Sequence, residues 1–518
     1  MSNITHKALF DKLQDTYVID KARQYAHWTL PALMADFTEV RNGRAVLERD
    51  YQEMGALLTN HLASKLTRLL FPANSPFFRI DPSRELKAQG AERGLKPEDM
   101  ASAMARFEKD ACKRVFLNAS YAQLILALKH LIVTGNVLLY RDSPNKRTVS
   151  YGLQNFVVRR DGKGVTLDIV LKECTFVEAL DEDLQKQLRL VDKGKYSRPE
   201  QTVEVYTRIQ RKVKNKNAYC EVTQQVDTIP VGEPSTYPEY LCPWRVVAWS
   251  LIPGEHYGRG LVEDYAGGFA KLSDLSEAAT LYGIEIMRVV HLVGAGSGTD
   301  IDDIASAECG EYVRGDPNSV AAHESGDYGK LKQVSDDIEQ VTQRLSKAFM
   351  YQANTRDAER VTAYELQQDA LEAEHALGGV YSSLAESMQM PLAYVLLVEL
   401  KESLLEGLVS GELRLDISAG IPALGRSTDV QNLVGAAQEA AAIVPVFKQI
   451  DNRVDEHKLI DVIFAGRSVD TELIFKSKEQ QQSEAAADAQ IAQGQQQMQM
   501  AAAATDQVDA LQSIQGPQ

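Results

Sequence analysis

The stretch LVEDYAGGFAKLSDLSEAATLYGIEIM, residues 261–287, decides the architecture. Within it Leu261, Tyr265, Phe269, Leu272, Leu275, Ala279, Tyr282 and Ile286 recur at steps of four and three. Residues so spaced share one face of a helix, so the pattern predicts an amphipathic rod of roughly 28 residues, about 42 Å long. A Gly-, Asp- and Ser-containing segment follows, from Gly294 to about Gly329. A second stripe then appears, Val334, Ile338, Val341, Leu345 and Phe349. A third runs Leu366, Ala370, Ala373, Leu377, Val380, Leu384 and Met388, and Pro391 is expected to interrupt it. Gly378-Gly379 inside this third helix predicts a bend. Two helices separated by about forty residues of turn-rich insert predict an antiparallel pair with a small module at its tip.

Working outward, residues 6–70 read as helices. Leu57, Leu58, Leu62, Leu66, Leu69 and Leu70 keep helical spacing until Phe71-Pro72 ends the run. Another helical stretch runs from about Pro97 to Leu131. The most apolar segment, Ser120 to Tyr140, carries Lys129 and His130 near its middle. Charges there would cost several kcal/mol at a bilayer centre, so the segment reads as a buried helix running into a strand. Val137–Tyr140, Phe156–Val158, Val165–Leu171 and Val203–Ile209 read as short strands, with a turn at Asp161-Gly162. Residues 228–258, rich in Pro and Gly, read as an irregular connection. Ala436 to Phe464 is again helical. Beyond Glu479 the composition collapses to Ala, Gln, Asp and Met, which favours helix but offers little apolar surface to bury. The fold class expected is mainly α with an α+β body.

The 518 residues are 44% hydrophobic and 25% charged, a globular composition sufficient for two to four packed units. Lys and Arg number 56 against 72 Asp and Glu, a formal net charge of −16. A chain that grips DNA through its phosphates normally carries a basic face, so tight sequence-independent DNA binding is not expected. Cys112, Cys174, Cys220, Cys242 and Cys309 are scattered without a CxxC pair, the pattern of reduced cytoplasmic thiols. The N-terminal MSNITHKALFDKLQDTYVIDKARQ has no apolar core, so no signal peptide is expected.

Catalytic signatures fail one by one. Gly294, Gly296 and Gly298 lead into Thr299-Asp300-Ile301-Asp302-Asp303, whose carboxylates would repel a phosphate, and no P-loop lysine follows. Asp300, Asp302, Asp303 and Glu311 resemble a calcium loop by count. However, Ile304 and Ala305 occupy positions that need an oxygen ligand and a turn glycine. His61, His130 and His375 lie on or beside apolar helix faces and read as packing residues, not ligands. Asp181, Glu182 and Asp183 read as a solvated turn. The basic cluster Arg208, Arg211, Lys212, Lys214 and Lys216 reads as the solvated end of a hairpin in preference to a nucleic-acid patch, because only Tyr206 and Tyr219 are nearby aromatics. No cofactor, metal or catalytic site is expected, and the chain is expected not to be an enzyme. An acidic nuclease or ATP-driven DNA-packaging enzyme is the alternative, and it needs clustered carboxylates or a Walker lysine.

Specific strings carry a resemblance: NHLASKLTRLLFP at 60–72, ALKHLIVTGNVLLY at 127–140, GEHYGRGLVEDY at 254–265, RLSKAFM at 344–350, ERVTAYEL at 359–366, LGGVYSSLAESMQMPL at 377–392 and SAGIPALGR at 418–426. In this order they resemble the portal, or head-to-tail connector, proteins of short-tailed bacteriophages that encode their own RNA polymerase. The resemblance implies a wing over 1–260, a first stem helix at 261–290, a clip at 291–333 and a second stem helix at 334–354. A tunnel loop at 355–361, a long kinked helix over 362–412, a return to wing and crown at 413–469 and a barrel over 470–518 would follow. It further implies a ring of twelve at one capsid vertex of the virion, assembled in the host cytoplasm, through which double-stranded DNA passes. Terminase large subunit, tail adaptor, scaffolding protein, major capsid protein and internal core proteins would be its partners, with no membrane involved. Arg356, Asp357, Glu359 and Arg360 would lie in or beside the tunnel loop, and Asp300, Asp302, Asp303 and Glu311 would face terminase or adaptor. Twelve chains at −16 each would surround DNA with an acidic bore along which it slides without a deep electrostatic well. Lys271, Arg288, Arg344 and Lys347 stand as channel-lining cations or as members of salt bridges, and both readings remain open here.

Overall fold

The computed structural model describes residues 4–35, 50–73, 76–83, 97–192, 198–287, 289–293, 300–308, 320–324, 328–351, 375–401, 413–417 and 437–442, with a few isolated positions besides. The chain forms two units, Met1–Pro422 and Ala423–Gln518; of the second, residues 437–442 are helical.

The first unit opens with α1 (His6–Leu13) and α2 (Thr16–Trp28), each started by a side-chain cap. The Thr5 hydroxyl accepts the Ala8 N–H at 3.3 Å, and the Asp15 carboxylate accepts those of Tyr17 and Val18 at 3.0 and 3.3 Å. In α3 (Met54–Leu70), Leu58, Leu62, Leu66, Leu69 and Leu70 are buried, and the apolar spacing is what folds it inward. Leu57 is 44% exposed instead of joining the stripe, since neighbours on a helix point about 100° apart and Leu58 takes the core. Strand β1 (Phe78–Pro82) precedes α4 (Pro97–Lys113) and α5 (Ser120–Thr134). The helical run expected from Pro97 to Leu131 is broken at Asn118 and Ala119, both left-handed with φ of 50° and 58°. No single described helix is long and apolar enough to cross a membrane. Helix α5 is instead a core element that ends at Gly135 and runs directly into β2 (Asn136–Asp142).

The β portion comprises β2, β3 (Arg147–Tyr151), β4 (Phe156–Arg160), β5 (Thr166–Phe176), β6 (Thr202–Lys214), β7 (Asn217–Val226), β8 (Ile229–Pro238) and β9 (Trp244–Ala248), with α6 (Glu182–Val191) between β5 and β6. They form an antiparallel three-stranded sheet, β3-β2-β9, and an antiparallel five-stranded sheet, β4-β5-β6-β7-β8. Two expectations are corrected here. Residues 228–258 are not wholly irregular, because they contain β8 and β9. Pro230, Pro234 and Pro238 fit in β8 because it is an edge strand, where a missing N–H faces away from the ladder. Asp181, Glu182 and Asp183 are not a bare turn: Glu182 and Asp183 form the acidic first turn of α6, where carboxylates favour the helix dipole, while Leu184 and Leu188 are buried.

The decisive stretch gives α7 (Leu261–Asp264) and α8 (Ala266–Ile286), separated at Tyr265, so the rod is interrupted once near its root. The insert holds β10 (Val289–Val293), α9 (Ile301–Ser306) and β11 (Val320–Glu324), with β10 and β11 paired antiparallel. Helix α10 (Tyr328–Ala348) follows. Gly378 and Gly379 adopt φ of 59° and 89°, a left-handed turn that starts α11 (Val380–Leu384). One π turn, Ala385–Gln389, leads into α12 (Met390–Leu400). Pro391 therefore does not interrupt the third helix: it sits in the first turn of α12, where its missing N–H falls beside a ladder already shifted by the π turn. The buried Gln389 amide donates to the Leu70 carbonyl, and the Tyr381 hydroxyl donates to that of Leu69 at 3.4 Å. Finally β12 (Leu413–Ile417) pairs antiparallel with β1.

Candidate functional site

Helices α8 and α10 form the antiparallel pair that the stripes require. At the root, the Tyr265 and Phe269 rings meet Phe349 edge-on at 6.2 and 5.6 Å between centroids. At the far end, Ala278, Leu281, Tyr282 and Glu285 face Lys330, Leu331 and Val334 across an apolar cleft of about 530 Å³. Burial thins along the pair. Phe269, Leu272, Val341, Leu345 and Phe349 are buried near the root, whereas Leu275, Ala279, Tyr282, Val334 and Ile338 are only half-buried. Further out, Ile286 is covered, but Leu281, Ile284 and Met287 are 54%, 58% and 75% exposed. These three lie at steps of three on a second face that the stripe reading missed. Leu281 also borders the cleft toward α10, and each of the three keeps more than half of its surface exposed.

Lys271, Arg344 and Lys347 are exposed and share the root half of the pair, where Phe269 and Gly268 meet Phe349 and Leu345. Among the described residues none of the three forms an ion pair; Arg344 donates through Nε to the Gln340 carbonyl at 3.4 Å. Arg288 lies outside the described residues. In the insert, Asp300 caps α9 by accepting the Asp302 N–H at 3.0 Å, and Asp302 and Asp303 are exposed in its first turn. Leu292, Ile301 and Tyr312 of the insert are exposed as well. Glu311 and the residues Arg356, Asp357, Glu359 and Arg360 lie outside the described residues. Among the described residues no cluster of His, Cys, Asp or Glu could hold a metal.

Two of the sequence strings prove to be one contact. Gly135, with φ of 74°, brings its backbone against residues 258–260: a Cβ there would meet the Arg259 and Gly258 backbone at 2.5 Å. Asn136 spans the junction, donating to the Gly258 carbonyl at 2.8 Å and accepting the Gly258 N–H at 2.7 Å. The Trp249 N–H adds a bond to the Gly135 carbonyl at 2.9 Å. This knot roots α7 and α8 in the core helix α5. A second tie, unread from the sequence, is Arg141 to Glu399, bidentate at 2.9 Å through both oxygens and buried at both partners. Arg114 adds a longer ion pair to Glu399 at 3.6 Å.

The basic cluster is largely consumed by the sheet. Arg208 makes a bidentate pair with Asp168 at 3.0 and 2.6 Å, Arg211 another with Glu239 at 2.8 and 3.0 Å, and Lys212 pairs with Glu221. The Asp168 carboxylate pushes the Arg208 pKa up. Asn215 and Lys216, both left-handed, form the tight turn between β6 and β7. Lys214 and Lys216 stand at the hairpin end that the composition suggests, whereas Arg208 and Arg211 lie within β6 and are held in ion pairs. His130 is buried, and desolvation pulls its pKa down to about 4; His61 packs edge-on against Tyr351 at 5.2 Å.

A family model described as bacteriophage head to tail connecting protein matches residues 5–474. The portal protein of Pseudomonas phage phiKMV is 44% identical over 481 residues, covering 93% of both chains. The portal protein of Enterobacteria phage SP6 is 34% identical, covering 83% of this chain and 81% of the relative. That of Escherichia phage T7 is 32% identical, covering 90% and 87%. Among solved structures, the neck of an empty GTA particle aligns with a TM-score of 0.37 and 10% identity, covering 74% of this chain and 86% of that chain.

Proposed function

Because the chain belongs to the bacteriophage head-to-tail connecting protein family, we propose that it closes into a ring of twelve at one capsid vertex and conducts double-stranded DNA. The observation that carries the ring is the uncovered apolar face of α8. Leu281, Ile284 and Met287 need a partner, and a second copy set beside the first by a rotation can supply one at every interface of a closed ring. In such a ring α8 and α10 are the stem, residues 291–333 the clip, and the polar residues 355–361 the tunnel loop.

The channel reading follows from charge. Each chain carries −16, so a bore built from these chains is electronegative and offers phosphate few deep wells. Lys271, Arg344 and Lys347, unpaired in the single chain among the described residues, become shallow repeating contacts for the passing duplex. The exposed acidic turn at Asp300, Asp302 and Asp303 presents the clip to terminase during filling and to the tail adaptor afterwards. Assembly in the host cytoplasm, with scaffolding protein, major capsid protein and internal core proteins around the wing, belongs to the same reading. In this reading catalysis of packaging belongs to a separate motor protein.

Negative-stain microscopy and native mass spectrometry of the purified chain test the proposal. Rings with a hole wide enough for a duplex are expected, and a chain that stays monomeric at high concentration overturns it. Metal-dependent cleavage or ATP turnover by the purified chain would favour the enzymatic alternative. Deleting Thr355 to Glu359 is expected to leave rings intact while packaging or retention of DNA fails; loss of the rings themselves would make the segment an interface.

A further inference from the structure

The two ends of the five-stranded sheet differ in charge. Strand β6 has 13 residues, so its ends lie about 40 Å apart. At the Lys214 end, the β6–β7 turn, the close of β8 and the start of α12 border an open groove of about 1280 Å³. Lys214, Lys216, Tyr219, Tyr237, Tyr240 and Tyr394 line it. Lys214 and Lys216 are exposed, and among the described residues neither forms an ion pair, whereas Arg211 beside them is held by Glu239. The groove exceeds the roughly 300–1,000 Å³ of most small-molecule sites, and its size and rings suit an edge of folded protein.

The opposite end, at Thr202, presents such an edge. Phe176 of β5 pairs with Thr202, and the chain continues through Glu178 and Asp181 into α6. Leu184 and Leu188 pack with Val203 and Val226, which fixes α6 at this end of the sheet. Glu178, Asp181 and Glu182 are exposed and form no ion pair among the described residues, while Asp183 is taken by Lys186 at 3.1 Å. Phe176 is 50% exposed, two residues before the first of these carboxylates.

A ring closed by rotation needs two different surfaces on one protomer that fit each other. A cationic, tyrosine-lined groove and an acidic edge with an exposed ring, at opposite ends of one sheet, meet that need. Resting on the ring reading above, we propose that the groove receives the edge around Glu178, Asp181 and Glu182 of the adjoining copy. Lys214 and Lys216 then face its carboxylates and the tyrosines its Phe176, so the five-stranded sheets run head to tail around the ring. A nucleic-acid strand suits the groove less, because the Glu239 carboxylate also lines it and would repel phosphate.

Native mass spectrometry of the full chain over a dilution series tests the contact. Lys214→Glu with Lys216→Glu makes the groove acidic, and Glu178→Lys with Asp181→Lys makes the edge basic. Each double variant alone is expected to raise the assembly midpoint roughly tenfold or more at low salt, and less at high salt, because two attractive pairs turn repulsive. An equimolar mixture of the two is expected to recover rings in which they alternate, since every groove then meets an edge of opposite charge. Damage to the fold could not be repaired by mixing, so a mixture that fails to recover overturns the proposal. Unchanged midpoints, with rings formed by the unaltered chain, overturn the contact and leave the ring standing; no rings from the unaltered chain overturn both. Loss of binding to a fluorescent DNA duplex on Lys214→Glu with Lys216→Glu, assembly being unchanged, would give the groove to nucleic acid instead. Should a variant not fold, carbodiimide cross-linking of unaltered rings, half of the chains isotopically labelled, decides. Links between labelled and unlabelled chains from Lys214 or Lys216 to Glu178, Asp181 or Glu182 are expected, and their absence overturns the proposal.

Discussion

Consider the triple replacement Leu281→Ser, Ile284→Ser and Met287→Ser. Fully burying one large apolar side chain is worth about 1.5–3 kcal/mol. These three keep 54%, 58% and 75% of their surface in the isolated chain, so that much remains for a partner to cover. Association can then recover about 1–2 kcal/mol from each, or roughly 3–6 kcal/mol per interface, which is about two to four powers of ten in pairwise affinity. Folding of the single chain should barely respond, because exposed side chains change stability by about 0.5 kcal/mol or less. The assay is native mass spectrometry over a dilution series, with circular dichroism and a melting curve as the check on folding. The expected outcome is a native-like chain whose assembly midpoint moves up by at least about a hundredfold. Superimposable dilution curves for the triple variant and the unaltered chain would refute the reasoning, because the uncovered face of α8 would then contribute nothing to assembly.

Glu399→Ala leaves the Arg141 guanidinium buried without its carboxylate, and is expected to cost about 3–5 kcal/mol, read as a fall in the urea midpoint. Gly135→Ala must hold φ of 74° and force a Cβ against the Gly258 carbonyl, so a loss of more than about 1 kcal/mol is expected in the same measurement. His130 supplies a pH dependence: its folded pKa of about 4 lies below the unfolded value of 6.5, so the unfolded chain binds the proton first. The stability it contributes is full above 6.5 and falls as pH drops toward 4. Relative to His130→Gln, the unaltered chain is expected to lose about 3 kcal/mol more across that window, and parallel pH profiles would exclude this origin.

How much of this could be read in the residues depends on where each signal is stored. The stripes from Leu261 to Ile286 and Val334 to Phe349 were legible because amphipathic spacing is a local property. So was the passage from α5 into β2, where Gly135 ends a helix and β-branched and aromatic residues follow. Strand β8 was hidden because its three prolines argue against a strand unless it is known to lie at an edge, and edge position is a tertiary fact. Helix α6 was hidden by its own acidic first turn, which looks like a solvated loop until Leu184 and Leu188 are seen to be buried. The Arg141–Glu399 tie joins residues far apart in the chain, and no local pattern announces it. At the candidate site, Lys271, Arg344 and Lys347 were legible as cations, but that none of them forms an ion pair among the described residues was not. Leu281, Ile284 and Met287 were present as a second set of steps along the same helix, outweighed by the stronger stripe beside it.

The knot at Gly135, Asn136 and Gly258 has a mechanical consequence. Helix α8, with 21 residues, is an arm of about 30 Å whose pivot has no slack, because the backbones touch where any side chain would separate them. Deflecting its tip by about 3 Å turns the arm by roughly six degrees, and the single-residue break at Tyr265 is all that separates the arm from the knot. Whatever rotation that break does not take up passes into α5 and the strand that follows it, so force applied at the tip of α8 is delivered as strain to the core.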